Sequence, residues 1–203
     1  VDTAFLGFTV SPHEECAVEA AVQLVEQHGG EVTVLTLGPA EAEEQLRTAV
    51  SVGAAKAVLV PIDGQDWDPQ RTASAIASVV KDLESANGSF DLILFGNESA
   101  DSCGYQVGVR AALKLARPMV NGAKGIEIDG TSAKIRRESD AGQDIYVLPM
   151  PAAVGVKEGI NLPRYPTMKG RLASKKVEVS RTEATASVGG LKMIQLQRPP
   201  ERV

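Results

Sequence analysis

The sequence predicts an α/β protein: a Rossmann-like, doubly wound, mostly parallel sheet with helices on both faces, then a C-terminal β-hairpin region and an extended arm. Three observations predict it. Apolar residues make up 43% of the chain and aromatics only 4%, so Ala, Val, Leu and Ile carry the core. That balance suits helices packed on a parallel sheet. Short β-branched runs alternate with helical periodicities as far as Leu115, and the short links between them imply right-handed βαβ crossovers. After Pro118 the helical period stops, and Asp129-Gly130 separates two alternating runs in the manner of a hairpin turn.

Each element has a local reason. Ser11-Pro12 opens the first helix as N-cap and first helical residue, and Val18, Ala21, Val22 and Val25 follow at helical spacing until Gly29-Gly30. Residues 32–37 form a buried strand ended by Gly38-Pro39. A helix over 40–52 stops at Gly53, and a strand covers 57–60. After a polar loop at 63–68, Pro69 starts a helix that runs to about Ser85. Residues 91–95 read as a strand covered on both faces, and 104–115 as the next helix. Residues 126–128 and 134–136 form the hairpin, and 145–148 and 152–156 add strands. The Pro-, Gly- and Lys-rich stretch 157–176 reads as a long exposed segment. Residues 180–190 read as a polar linker, and 191–203 as an extended arm, because Pro199-Pro200 cannot continue a helix. The expected division is a nucleotide-binding domain over 1–180 and a linker with arm over 181–203.

Composition narrows the function classes. The net charge is −5 and no long basic run occurs, so nucleic acid is not an expected partner. No apolar run approaches the roughly 18 residues of a membrane span. The apolar stretch 1–10 lacks the basic start and cleavage site of a signal peptide. Cys16 and Cys103 have no paired spacing, so neither a disulfide nor a zinc site is expected. A reducing compartment follows, the cytoplasm before the mitochondrial matrix.

The stretch richest in candidate chemistry is Gly96-Asn97-Glu98-Ser99-Ala100-Asp101-Ser102-Cys103-Gly104-Tyr105-Gln106-Val107-Gly108. It follows the carboxyl end of a parallel strand and runs into a helix, which is where ligands bind in open α/β sheets. Free backbone N–H groups and the helix dipole there favour a phosphate. The alternative is an ordinary strand-to-helix loop capped by Asp101 or Ser102. Neither G-x-G-x-x-G nor G-x-x-x-x-G-K occurs. Elsewhere, Glu14 suits the first turn of a helix, and His28 a helix C-terminus. Cys103 has no basic neighbour in sequence to make it a nucleophile. No acid/base pair, triad or metal cluster stands out. The segment Asn161-Leu162-Pro163-Arg164-Tyr165-Pro166-Thr167-Met168-Lys169-Gly170-Arg171 is rich in the residue types of protein interfaces, though the residues alone favour a plain surface loop.

Several of these motifs together resemble one family. Ser11-Pro12-His13-Glu14 with the Ala17-Val18-Glu19 that follows is similar to the N-P-x-x-E-x-A-V-E-E-A-V helix start of electron-transfer flavoprotein β subunits. Gly38-Pro39, Leu46-Arg47-Thr48-Ala49 and Gly53-Ala54 resemble its G-P…L-R-x-A-x-x-x-G-A stretch. Residues 96–108 match the spacing of its G-x-Q-x-x-D-x-x-x-x-Q-T-G loop. Ile160-Asn161-Leu162-Pro163-Arg164-Tyr165, with Lys175-Lys176 behind it, resembles its I-N-x-P-R-Y loop and lysine run. The likeness extends over residues 11–179.

The resemblance implies an electron carrier subunit without catalytic residues of its own. It implies a heterodimer with an α subunit that holds the redox-active FAD, and AMP bound structurally in this subunit. Electrons would come from primary dehydrogenases and pass to a quinone oxidoreductase or another acceptor. The implied nucleotide contacts are Ser11, Pro12, His13, Glu14, Leu37 and residues 96–108. The implied dehydrogenase contact is Pro163 to Arg171, and the arm would contact the α subunit. The chain departs from the family twice. The family's apolar first strand, with its K-x-V-P-D-like turn, is not found, which suggests a part of a longer protein. The usual Q-T-G is Gln106-Val107-Gly108 here, a version found in bifurcating relatives that carry a second FAD, so AMP and FAD both stay open. Two rival readings are a stand-alone nucleotide-binding module of the universal-stress type and a small hydrolase or ligase on the same fold.

Overall fold

The computed structural model describes residues 7, 9–62, 67–100, 102–192, 194, 195, 197 and 198. Asp101 of the candidate loop, most of the apolar stretch 1–10, most of the loop at 63–68 and the Pro199-Pro200 pair of the arm lie outside the described residues.

Helix α1 (Pro12–His28) begins with Ser11 as an extended N-cap and Pro12 in its first turn, and it ends at Gly29, where φ is 81°. Strand β1 (Thr33–Gly38), helix α2 (Glu43–Ser51), strand β2 (Lys56–Pro61), helix α3 (Pro69–Asn87) and strand β3 (Leu92–Gly96) continue the alternation. Helix α4 (Val107–Lys114) leads into four strands, β4 (Met119–Asp129), β5 (Ser132–Ser139), β6 (Gly142–Pro149) and β7 (Ala152–Val156). Helix α5 (Met168–Ser174) and strand β8 (Val179–Arg181) follow.

The strands form two sheets. In the smaller, β1, β2 and β8 lie in that order, all parallel. In the larger, the order is β3-β7-β4-β5-β6. Pairing there is parallel from β3 through β7 to β4 and antiparallel from β4 outwards. The α/β class expected from sequence is therefore present, with the hairpin enlarged into a three-stranded meander.

Helix α1 covers both sheets. Its Cys16 and Ala17 pack with Val120, Val154 and Val156 of the larger sheet. Its Val22, with Val18, Ala21 and Val25, packs against Ala57 and Leu59 of the smaller, beside Leu46 of α2 and Val32. On the other side, Val79 of α3 packs on Val58 and Val60. The ends of α3 and α4 are joined through Arg117, which is 8% exposed. Its guanidinium pairs with Glu84 and donates to the Phe90 carbonyl at 2.6 Å. A buried charge so paired and hydrogen-bonded is tolerated, and removal of one partner costs roughly 3–5 kcal/mol.

Among the described residues, the strands β1 and β3 are each paired on one side only. Residues 33–37 and 92–96 are half-buried throughout, whereas 57–60 and 152–156 are buried. No helix among the described residues is long and apolar enough to cross a membrane.

Three elements differ from the sequence reading. Helix α4 starts at Val107 rather than Gly104, because the preceding residues are folded into a closed loop. Helix α5 lies within the stretch expected to be an exposed segment. It forms because Thr167 caps it, accepting from the Gly170 N–H at 3.0 Å, and because Arg47 Nη1 donates to the Ser174 carbonyl at 2.7 Å. Gly170 lies against α2: a Cβ there would sit 2.1 Å from the Ser51 carbonyl oxygen. Strand β8 overlaps the start of the expected linker and adds to the free edge of β2.

The residues after β8 run back along α3. Ser187 N–H donates to Ser74 Oγ at 3.1 Å, and the N–H groups of Gly190 and Leu191 donate to Asp68 Oδ2 at 2.6 and 2.8 Å. Asp68 also caps α3 by accepting from Arg71 N–H at 2.7 Å. Its carboxyl is held below the usual aspartate range, by the Arg71 N–H above all, against a smaller opposing effect of burial, and with help from Leu191 and Gly190. A carboxylate of lowered pKa contributes its full stabilisation above its unfolded value, near 3.9, and loses it as pH falls through the lower folded value. Asp68→Ala is expected to speed proteolytic cleavage at 188–192 and to lower the melting temperature, because a helix cap is lost with the anchor. Acidification of the unmodified chain should release the same segment only below the usual aspartate range. Unchanged cleavage in the variant would show that the carboxylate does not anchor the segment.

Candidate functional site

The first turn of α1 meets the loop that follows β3, over the carboxyl ends of β3 and β7. The approach is close. A Cβ at position 96 would lie 2.3 Å from Glu14 Oε1, so only glycine lets the carboxylate rest on this part of the backbone. His13 is 8% exposed. Its Nδ1 accepts from the Glu158 N–H at 2.9 Å, and its Nε2 lies 3.2 Å from Glu98 Oε1. Ser11 does not cap α1 with its side chain. Its Oγ is buried and makes no hydrogen bond among the described residues.

The loop itself is tied down at both ends and closed in the middle. Asn97 N–H donates to the Val156 carbonyl at 2.9 Å and so extends the β3–β7 ladder by one rung. Ser99 N–H donates to the Gly104 carbonyl at 3.0 Å, and Cys103 N–H to the Ser99 carbonyl at 2.9 Å. Gly104 N–H reaches Ser99 Oγ at 3.3 Å, and the Ser99 and Ser102 hydroxyls are paired. Cys103 closes this turn with φ at 51°. The N–H groups of Cys103 and Gly104 are thus engaged within the loop. The open amides for an anion are those of the first turn of α4, after Gln106. Gln106 Oε1 is held by Arg110 at 2.9 and 3.1 Å. Gly108 lets α4 settle on β3, since a Cβ there would lie 3.0 Å from the Phe95 ring.

Glu98 has its carboxyl held below the usual range, first by the Tyr105 hydroxyl and then by His13, while burial acts in the opposite direction. Tyr105 is pushed up by the same hydrogen bond. The structure brings Ser11, Pro12, His13 and Glu14 together with the loop over 96–106. Leu37 lies at the carboxyl end of β1 in the other sheet, packed with Val58, Val60 and Val79. Ala100 is an exposed residue on the turn.

Sequence reasoning missed two contributors. Asn121 Nδ2 donates to the Asn97 carbonyl at 3.2 Å, and its amide lies over Gly155, where a Cβ would clash with it. A signal existed: Asn121-Gly122 interrupts an apolar run, and β4 bulges there with Gly122 at φ 80°. The other is Glu158, which supplies only its main-chain N–H. No residue pattern announces a backbone donor.

A second surface lies over residues 163–171. Arg164 anchors it: its guanidinium meets Glu19 Oε2 at 2.8 Å and Glu26 Oε1 at 2.6 Å, both on α1. Burial pushes the Glu19 carboxyl up, but the Arg164 hydrogen bonds, with Gln23, more than offset this and hold it low. Pro163 and Pro166 are half-buried. Thr167 is the cap, and Met168, Lys169, Gly170 and Arg171 form the first turn of α5. With Arg164 held down, Leu162, Tyr165, Met168 and Leu172 stand out from the surface, Tyr165 at 93% and Met168 at 74% exposure.

Residues 3–187 match the electron transfer flavoprotein domain. The chain is 35% identical over 176 residues to the electron transfer flavoprotein subunit beta of Bacillus subtilis, covering 86% of this chain and 66% of that protein. It is 34% identical over 200 residues to the subunit of the same name from Syntrophomonas wolfei, covering 98% and 77%. It is 38% identical over 172 residues to that of Mycobacterium bovis, covering 82% and 63%. The chain thus spans about two thirds of the length of the relatives it matches. With the domain matched over nearly all its length and these relatives sharing a third of its residues, the chain belongs to the electron transfer flavoprotein subunit beta family.

Proposed function

We propose that this chain is the β subunit of a two-chain electron carrier. It holds AMP as a structural ligand, while the redox-active FAD belongs to a partner α subunit. Primary dehydrogenases dock on residues 163–171, and electrons leave to a quinone oxidoreductase or another acceptor. The observation that carries the reading is the convergence of Ser11, His13 and Glu14 with the loop over 96–106, at the carboxyl ends of two parallel strands. The buried Ser11 hydroxyl at the start of α1 and the first amides of α4 suit a phosphate. The carboxylates of Glu14 and Glu98 are acceptors suited to ribose hydroxyls rather than to an anion. AMP supplies packing and charge but no electrons, so this chain needs no acid/base residue of its own.

The same reading assigns residues 1–180 to nucleotide binding and 181–203 to a linker and arm that meets the α subunit. It sets the complex in the cytoplasm.

Gly96→Ala tests the nucleotide placement. The added methyl group displaces the Glu14 carboxylate, and AMP recovered by extraction and chromatography is expected to fall about tenfold, the value of roughly 1.4 kcal/mol. Unchanged nucleotide would count against the placement, and extracted FAD in place of AMP would assign a flavin site instead.

Met168→Ala tests the docking surface. Arg164 and the two prolines order this segment beforehand, so little entropy is lost on docking. Truncation of an exposed anchor is worth roughly 2 kcal/mol, about thirtyfold in affinity for the dehydrogenase. The melting temperature should hold, since Met168 is largely outside the core. A variant that melts early and transfers electrons at the normal rate would make this segment structural.

A further inference from the structure

His13 does more than line the site. Its Nδ1 accepts from a main-chain N–H, so that nitrogen carries no proton. The remaining ring proton is on Nε2, which donates to Glu98. The imidazole is therefore fixed as one tautomer by two partners on different elements. Glu158 follows β7, and Glu98 is on the loop after β3, whereas His13 is on the first turn of α1. Tyr105, one residue before the N-cap of α4, and Lys157 both favour the charged form of Glu98. One buried ring thus links the start of α1, the residues after β7 and the start of the loop.

We propose that His13 is a positioning residue: acting through Glu98, its neutral Nε2–H tautomer sets the loop over 96–106 at the spacing from α1 that the nucleotide requires. This deepens the nucleotide reading and rests on it for the ligand alone. Two other contacts fix the floor of the loop without His13, the Asn97 N–H to Val156 and the Asn121 amide to the Asn97 carbonyl. What depends on His13 is the outer part, from Glu98 to Tyr105. Without the ring, the closed turn of Ser99, Cys103 and Gly104 would persist as a unit but would no longer be held against α1.

Two amide variants separate the halves of the brace. His13→Asn keeps an acceptor near the Nδ1 position, and His13→Gln keeps a donor that reaches toward Glu98. In the unmodified full-length chain without nucleotide, nitrogen NMR of the ring is expected to show a bare Nδ1 and a protonated Nε2. The Glu158 amide should exchange faster in His13→Gln and stay protected in His13→Asn. The dissociation constant for added AMP should rise about tenfold in His13→Asn and in Glu98→Ala, with no further loss when the two are combined. A proton on Nδ1, losses that add in the double variant, or wild-type affinity in His13→Asn would each overturn the proposal. If the unmodified chain binds no AMP, the nucleotide reading fails, and ring tautomer and amide exchange still decide for or against the brace.

Discussion

Helix α1 has two sheets to cover. Its first turns bury Cys16 and Ala17 on one, its later turns bury Val22 on the other, and among the described residues no backbone pairing joins β1 to β3 directly. The two sheets therefore hold their relative position through side-chain packing on α1 and, behind them, through Arg117 at the junction of α3 and α4. Packing of this kind is collectively strong but has no register of its own. The directional contacts of α1 fill that role. His13 and Glu14 fix its start to the larger sheet, and Glu19 and Glu26 fix its middle and last turn to Arg164.

The site and the exposed surface are thereby mounted on the same helix. Residues 11–14 face the candidate site, while Glu19 and Glu26, two and four turns on, hold the segment that presents Tyr165 and Met168. Glu19 is almost wholly buried, and a buried carboxylate is tolerated only because the fork of Arg164 and its own N–H both reach it. The exposed apolar side chains around it are thus displayed on a base whose cost of ordering is met within the fold.

Most of the fold was legible because its signals are local. Ser11-Pro12, Gly29-Gly30 and the alternation of β-branched and helical runs decide α1, β1, β2 and α3 on their own, and Asp129-Gly130 decides the hairpin. Helix α5 was not legible. Its residues have weak periodicity, and what makes them helical is distant: Arg47 reaching its last carbonyl, and a glycine packed on α2. The same holds at the site. Residue types and spacing marked His13, Glu14 and the 96–108 loop, but the placement of Leu37 in the other sheet and the donation from Glu158 are properties of the assembled chain. Asn121-Gly122 lies between these cases, since its interruption of an apolar strand is visible before its purpose is.

The two cysteines carry a practical consequence. Cys16 is enclosed between α1 and the larger sheet, and Cys103 stands exposed at the turn of the loop. A bulky maleimide dye can reach the second without disturbing the first, because reaction at a packed thiol requires the core to open. The native chain thus carries its own single attachment point for a fluorophore, at the tip of the segment that closes the site. Changes in that segment can be followed by emission without substituting a residue.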